Sequence, residues 1–63
     1  MTLNELRHWV FDKCNKHPEL KNEMLDYLTL CIDEIDEGGS VEHEIELCIN
    51  DIEELIDENT SND

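Results

Sequence analysis

The side chains able to do chemistry in this 63-residue chain are eighteen carboxylates, three cysteines and three histidines. Clustered carboxylates suggest calcium first. A helix-flanked calcium loop with its glycine at Gly38 would begin at Asp33 and end at Glu44, but Ile35 would stand at its third ligand position and Ser40 at its apolar eighth, so the pattern fails. A transition-metal site would draw on His8, Cys14, His17, Cys31, His43 and Cys48. Cys14-Asn15-Lys16-His17 has an interval that zinc ligands use, yet the second pair needed to close a tetrahedral site is missing. There is no Ser/His/Asp arrangement, glycine-rich phosphate loop or nucleophile elbow. Acidic pairs on exposed helices also lack the desolvation that tunes a general acid. No catalytic residue, cofactor or resident metal is therefore expected. Cys14, Cys31 and Cys48 read as small apolar core residues, His17 precedes a turn, and His8 and His43 face outward.

The placement of charge is more informative. Arg7, Lys13, Lys16 and Lys21 are all the basic residues, and positions 22–63 hold fifteen carboxylates with no Lys or Arg. The first 21 residues, with three acids against four bases, are close to neutral, so the rest carries almost the whole formal charge of −14. Such a field repels nucleic acid and anionic membranes and attracts basic surfaces. Four cations also leave little with which to bind phosphate directly.

Three helices must position these groups. Thr2-Leu3-Asn4-Glu5 has the form of a capping box, and the apolar stripe Leu3, Leu6, Val10 and Cys14 predicts a first helix over about 3–16. His17-Pro18 interrupts it, because a residue before proline leaves the α region while proline suits a first helical turn. Leu20, Met24, Tyr27, Leu28, Cys31 and Ile35, widened by Leu25 and Ile32, predict a second helix over about 18–37. Gly38-Gly39-Ser40 supplies a helix stop and an N-cap. Val41, Ile45, Cys48, Ile49, Ile52, Leu55 and Ile56 then predict a third helix over about 41–57. Residues 1–58 form one helical domain in this reading, and 59–63 a flexible tail without an apolar anchor. Cys31 and Cys48 are equally far from the Gly39-Ser40 junction and should lie level in an antiparallel hairpin.

Many of the acids sit where a helix would not choose them. Asp33, Glu34, Asp36 and Glu37 crowd one helix C-terminus and Glu53, Glu54, Asp57 and Glu58 another, where the dipole disfavours negative charge by about 0.3–1 kcal/mol per group. Like-charged i,i+4 pairs such as Asp33/Glu37, Glu42/Glu46, Glu53/Asp57 and Glu54/Glu58 each add about 0.2–0.5 kcal/mol of repulsion. Interspersed lysines would have given solubility without these costs. Over a hairpin about 27 Å long, the acids provide about one charge per 2 Å, near the 1.7 Å of duplex DNA.

In size, charge and the run of acidic helices through positions 22–58, the chain resembles the small acidic accessory proteins that bacteriophages make to disarm host nucleic-acid-binding proteins. The resemblance rests on no diagnostic motif. It implies a protein that imitates nucleic acid and inhibits a nucleic-acid-binding partner.

The sequence thus predicts an all-α, three-helix antiparallel bundle in which the near-neutral first helix packs on an acidic hairpin. It predicts non-enzymatic, stoichiometric binding of a basic, nucleic-acid-binding protein through Asp33, Glu34, Asp36, Glu37, Glu42, Glu44, Glu46, Asp51, Glu53, Glu54, Asp57 and Glu58. The competing reading is a small homodimerisation or adaptor module that binds through an apolar surface. Leu47, nearly opposite its helix's stripe, motivates it, with Leu30 and Trp9 as further candidates and Phe11 flanking the first stripe. No apolar run reaches the roughly 20 residues of a membrane span, and the three cysteines do not have the spacing of a secreted disulfide framework, so a cytoplasmic protein without membrane contact is expected.

Overall fold

The computed structural model describes residues 1–60. Helix α1 spans Leu3–Lys16, a 3-10 turn spans Pro18–Leu20, α2 spans Lys21–Asp36 and α3 spans Val41–Thr60. α2 packs chiefly against α3 and α1 packs mainly on α2, giving an all-α three-helix bundle. The bundle is elongated, 40 × 18 × 18 Å.

Each helix boundary has a local cause. The capping box forms as the sequence requires: Thr2 N donates to Glu5 Oε1 at 2.8 Å and Glu5 N donates to Thr2 Oγ1 at 3.2 Å. α1 ends where His17 leaves helical geometry ahead of Pro18. The second helix opens more tightly than expected, because Pro18–Leu20 is a 3-10 turn and α2 proper begins at Lys21. At the hairpin, Gly39 N donates to Glu34 O at 2.8 Å and Gly38 N to Ile35 O at 3.0 Å. This is a Schellman closure, with Gly38 at φ +102° in the conformation that disfavours a side chain. Gly39 is needed for a different reason, since a Cβ there would meet the Glu34 carbonyl oxygen at 2.7 Å. Ser40 Oγ then faces His43 N across 3.5 Å, a weak cap, while Ser40 O accepts from Glu44 N at 2.9 Å.

The third helix corrects the expected boundary, for it continues past residue 57 to Thr60. Asn59 Nδ2 donates to Leu55 O and Thr60 Oγ1 to Ile56 O, both at 2.8 Å. Residues 59 and 60, assigned to a tail by their lack of apolar character, are thus helical. The remainder of that tail, 61–63, lies outside the described residues.

The core is built from the anticipated stripes: Leu6, Val10 and Cys14 of α1, Leu20 of the 3-10 turn, Met24, Leu28 and Cys31 of α2, and Ile45, Cys48 and Ile52 of α3. Leu6, Val10, Met24 and Ile52 are fully excluded from solvent, and each contributes about 1.5–3 kcal/mol through its burial. Val41, counted with the third stripe, is instead exposed at the first residue of its helix. All three cysteines are free thiols and buried. Among the described residues, no helix is long and apolar enough to cross a membrane.

Candidate functional site

α2 and α3 run antiparallel because only residues 37–40 connect them. Their register sets Glu34 beside Glu44, Cys31 beside Cys48, and Tyr27 beside Asp51 and Leu55. A groove of about 140 Å³ opens between the two helices, lined by Tyr27, Leu30, Cys31, Glu34, Glu44, Leu47, Cys48 and Asp51. Tyr27 and Asp51 also line the adjoining hollow with Glu54, Leu55 and Glu58. The two hollows therefore adjoin at Tyr27 and Asp51 and form a channel in two parts along the hairpin.

The first part of the channel has an apolar floor and acidic edges, whereas the second part is mainly polar. Leu30 is 57% exposed and Leu47 44% exposed, and both line the same hollow. Glu34, Glu44, Asp51, Glu54 and Glu58 supply the rim. On α3, Glu44, Asp51 and Glu58 recur every seven residues and so stay on one helical face, with Glu54 beside them. Positions 44–58 of α3 extend about 21 Å, and the four carboxylates of that row are on average about 7 Å apart along the axis, wider than the roughly 3.4 Å per phosphate of a single DNA strand.

Other acids predicted for the same role are placed elsewhere. Glu42 and Glu46 border a hollow with Met1, Ile45, Ile49 and Asn50, while Glu53 and Asp57 border one with Lys13, Ile56 and Thr60. These four lie on the flank of α3 nearer α1. Asp33, Asp36 and Glu37 are exposed on α2 and at its end without lining the channel. The expected acidic surface is thus divided into two flanks, because acids at both edges of the α3 stripe diverge around the helix.

Trp9, grouped with Leu30 and Leu47 by sequence, is not brought to them. It is half-buried against the core, with Lys13 Nζ 5.3 Å from its ring centroid, a cation–π contact within α1. Phe11 is exposed on the same helix. The ion pairs Lys16–Asp12, at 3.2 Å, and His17–Glu19, at 3.8 Å, both belong to the first 21 residues. Exposed pairs of this kind contribute little to stability, but they occupy part of the small basic complement locally.

The buried thiols of Cys31 and Cys48 neighbour each other in the groove lining. Burial pushes the Cys48 thiol up to about 12, reinforced by Cys31 and by the nearby negative charge of Asp51. Burial also raises Cys31, with Glu44 acting in the same direction and the neighbouring Cys48 opposing it. Cys14 is raised by burial and partly offset by Lys21. Acid-rimmed, desolvated thiols are held in their protonated form and are poor nucleophiles. Among the described residues, no group of three or more His, Cys, Asp or Glu side chains is arranged to hold a metal ion.

Tyr27 and Leu55, which extend the floor, were read from sequence only as stripe residues. Their position at the stripe's edge is the signal that such a residue can serve both core and surface. No protein-family model, curated protein or solved structure matches the chain.

Proposed function

We propose that this chain is a non-enzymatic acidic binding protein that occupies the basic nucleic-acid-binding groove of another protein, in the cytoplasm and in the manner of phage-encoded inhibitors that imitate DNA or RNA. The observation that carries this reading is the row Glu44, Asp51, Glu54 and Glu58, with Glu34 beside it, presented along one face of the α2–α3 hairpin. Charges prealigned on a helix lose little freedom on binding.

A basic partner gains from this surface in two ways. Long-range attraction speeds its approach, and the displaced counterions favour the complex. Both effects fall with added salt. The test is to capture partners from a lysate at low salt, then titrate a captured protein at two salt concentrations, with and without competing duplex. Affinity that drops steeply with salt and is competed by nucleic acid is the expected result; affinity unchanged in both respects refutes the reading.

The apolar alternative is favoured by one observation, the exposure of Leu30 and Leu47 in a shared channel. As a homodimer interface it would bring two molecules of formal charge −14 together at their acidic rims, an arrangement that like-charge repulsion opposes.

A further inference from the structure

The α2–α3 channel joins two features that separate binding modes would keep apart: an apolar floor and a rim of one charge sign. Phosphate imitation alone calls for exposed carboxylates and has no use for Leu30 and Leu47 at 57% and 44% exposure between them. A second copy of this chain would satisfy the leucines, but only by setting Glu34, Glu44 and Asp51 against the same residues of its twin. A purely apolar partner would leave those carboxylates desolvated without countercharge, which is costly. One occupant satisfies both features.

We infer that the channel seats a cationic amphipathic helix of the partner, apolar on the side that meets Tyr27, Leu30, Leu47 and Leu55 and bearing Lys or Arg on both flanks. Helices of this kind present i, i+3, i+4 and i+7 anchors to a groove. The channel is long enough for one, since 44–58 of α3 spans about 21 Å, or about four helical turns. Charge complementarity selects the occupant's flanks: Glu34 stands on the α2 side and Glu44, Asp51, Glu54 and Glu58 on the α3 side, so cations on both edges of the incoming helix find carboxylates. The buried thiols of Cys31 and Cys48 belong to the groove lining and, held protonated, present no extra charge to an apolar anchor. This inference rests on the reading of the acidic faces as a partner-binding surface and adds that one flank of them, with an apolar anchor, makes the specific contact.

The test uses the full chain and two synthetic helical peptides of about 20 residues, long enough for helix formation. Both carry the same lysines; one has leucines along a single face and the other has glutamines there. The leucine peptide is expected to bind one to one and about tenfold or more tighter than the glutamine peptide, since an apolar anchor of one leucine supplies that factor. Leu47→Ala and Leu30→Ala are expected to erase this preference while leaving the melt and helicity unchanged. Glu44→Gln should weaken both peptides, whereas Glu46→Gln, on the opposite flank, should weaken neither by as much.

Equal binding of the two peptides with equal salt dependence would overturn the channel while leaving the acidic reading standing. Binding of neither peptide would also overturn it, and the salt and duplex titration of a captured partner then judges the acidic reading separately. Sedimentation that shows a dimer dissolved by Leu47→Asp would assign the floor to a second copy and overturn the inference as well.

Discussion

Cys31 and Cys48 face each other across the α2–α3 interface as a pair of buried free thiols. They line the same groove as the exposed Leu30 and Leu47. Small, weakly polar and close-packed, they let the two helices approach nearer than a pair of leucines would allow.

Alkaline pH should weaken this contact. The folded Cys48 pKa, about 12, is above the ordinary value of 9.0, so the folded state holds its proton where the unfolded state releases it. Stability is fully present below pH 9, declines as pH rises from about 9, and loses this contribution by about 12. Cys14 and Cys31 are raised too and act in the same direction. The melting temperature should therefore fall between pH 8 and pH 10.5, and Cys48→Val should flatten part of that fall. A melting curve unaffected by pH over this range would refute the assignment.

The two glycines of the hairpin should be unequal to any other exposed pair. Gly38→Ala places a Cβ at φ +102°, costing about 1–2 kcal/mol, and Gly39→Ala forces a Cβ towards the Glu34 carbonyl oxygen at 2.7 Å. At this chain length about 1 kcal/mol corresponds to roughly 4–8 °C in Tm. Thermal melts of both variants measure it, and an unchanged Tm in Gly39→Ala would mean that the closure relaxes freely.

A leucine in its helix's apolar stripe and one opposite it should differ sharply. Leu6 is wholly buried while Leu47 is largely open. Leu6→Ala should lose about 2–5 kcal/mol to cavity formation, and Leu47→Ala should stay within about 0.5 kcal/mol of the parent, as surface changes do. Denaturant titration of both variants decides, with a comparable loss in the two counting against an open channel.

Glu5 should report on the start of α1. Hydrogen bonding by the Thr2 backbone N–H, and then by its side chain, holds the Glu5 carboxyl below the ordinary value of 4.5. The cap's pH-dependent contribution is therefore present above the ordinary carboxylate range and disappears as pH falls through the lowered value. In Thr2→Ala the hydroxyl partner is gone, so an NMR titration should show Glu5 moving up and the melt moving down. No movement of Glu5 would show that the hydroxyl plays no part in the shift.

Salt should stabilise the free protein. Carboxylates crowd the C-terminal ends of α2 and α3 and no basic residue falls beyond Lys21, so screening relieves net repulsion. Tm should rise between low salt and about 0.5 M, a range over which the screening length falls to a few ångströms. A fall in Tm would indicate that attractive pairs dominate instead.

The parts of this fold legible in sequence are those with local causes. Thr2 and Glu5 are three residues apart and cap one helix whatever else the chain does, and Gly38-Gly39 stops α2 through backbone geometry alone. The level pairing of Cys31 with Cys48 and the meeting of Leu30 with Leu47 follow from counting outward from a short turn. What sequence did not give depends on the circumference of a helix or on polar ends. Glu42 and Glu44 differ by two positions yet lie on opposite edges of α3, so a dense acidic run concealed a division into two flanks. Trp9 stood as an interface candidate because it flanks the stripe of α1, but a large side chain reaches the core from there. Asn59 and Thr60 carry no apolar signal, so hydrophobic patterning ended the helix before them, yet both are helical and their side chains bond the carbonyls four residues back.

The short connections between helices also govern how the chain reaches this structure. Residues 37–40 join α2 to α3, and His17 with a single 3-10 turn joins α1 to α2, so each principal contact forms between chain neighbours. Few long loops need closing before packing begins, and helical topologies dominated by such local contacts fold in microseconds to milliseconds. The α2–α3 hairpin, which holds the more extensive contact, is expected to form the nucleus and α1 to dock afterwards, leaving the acidic channel complete before the basic end of the chain has settled.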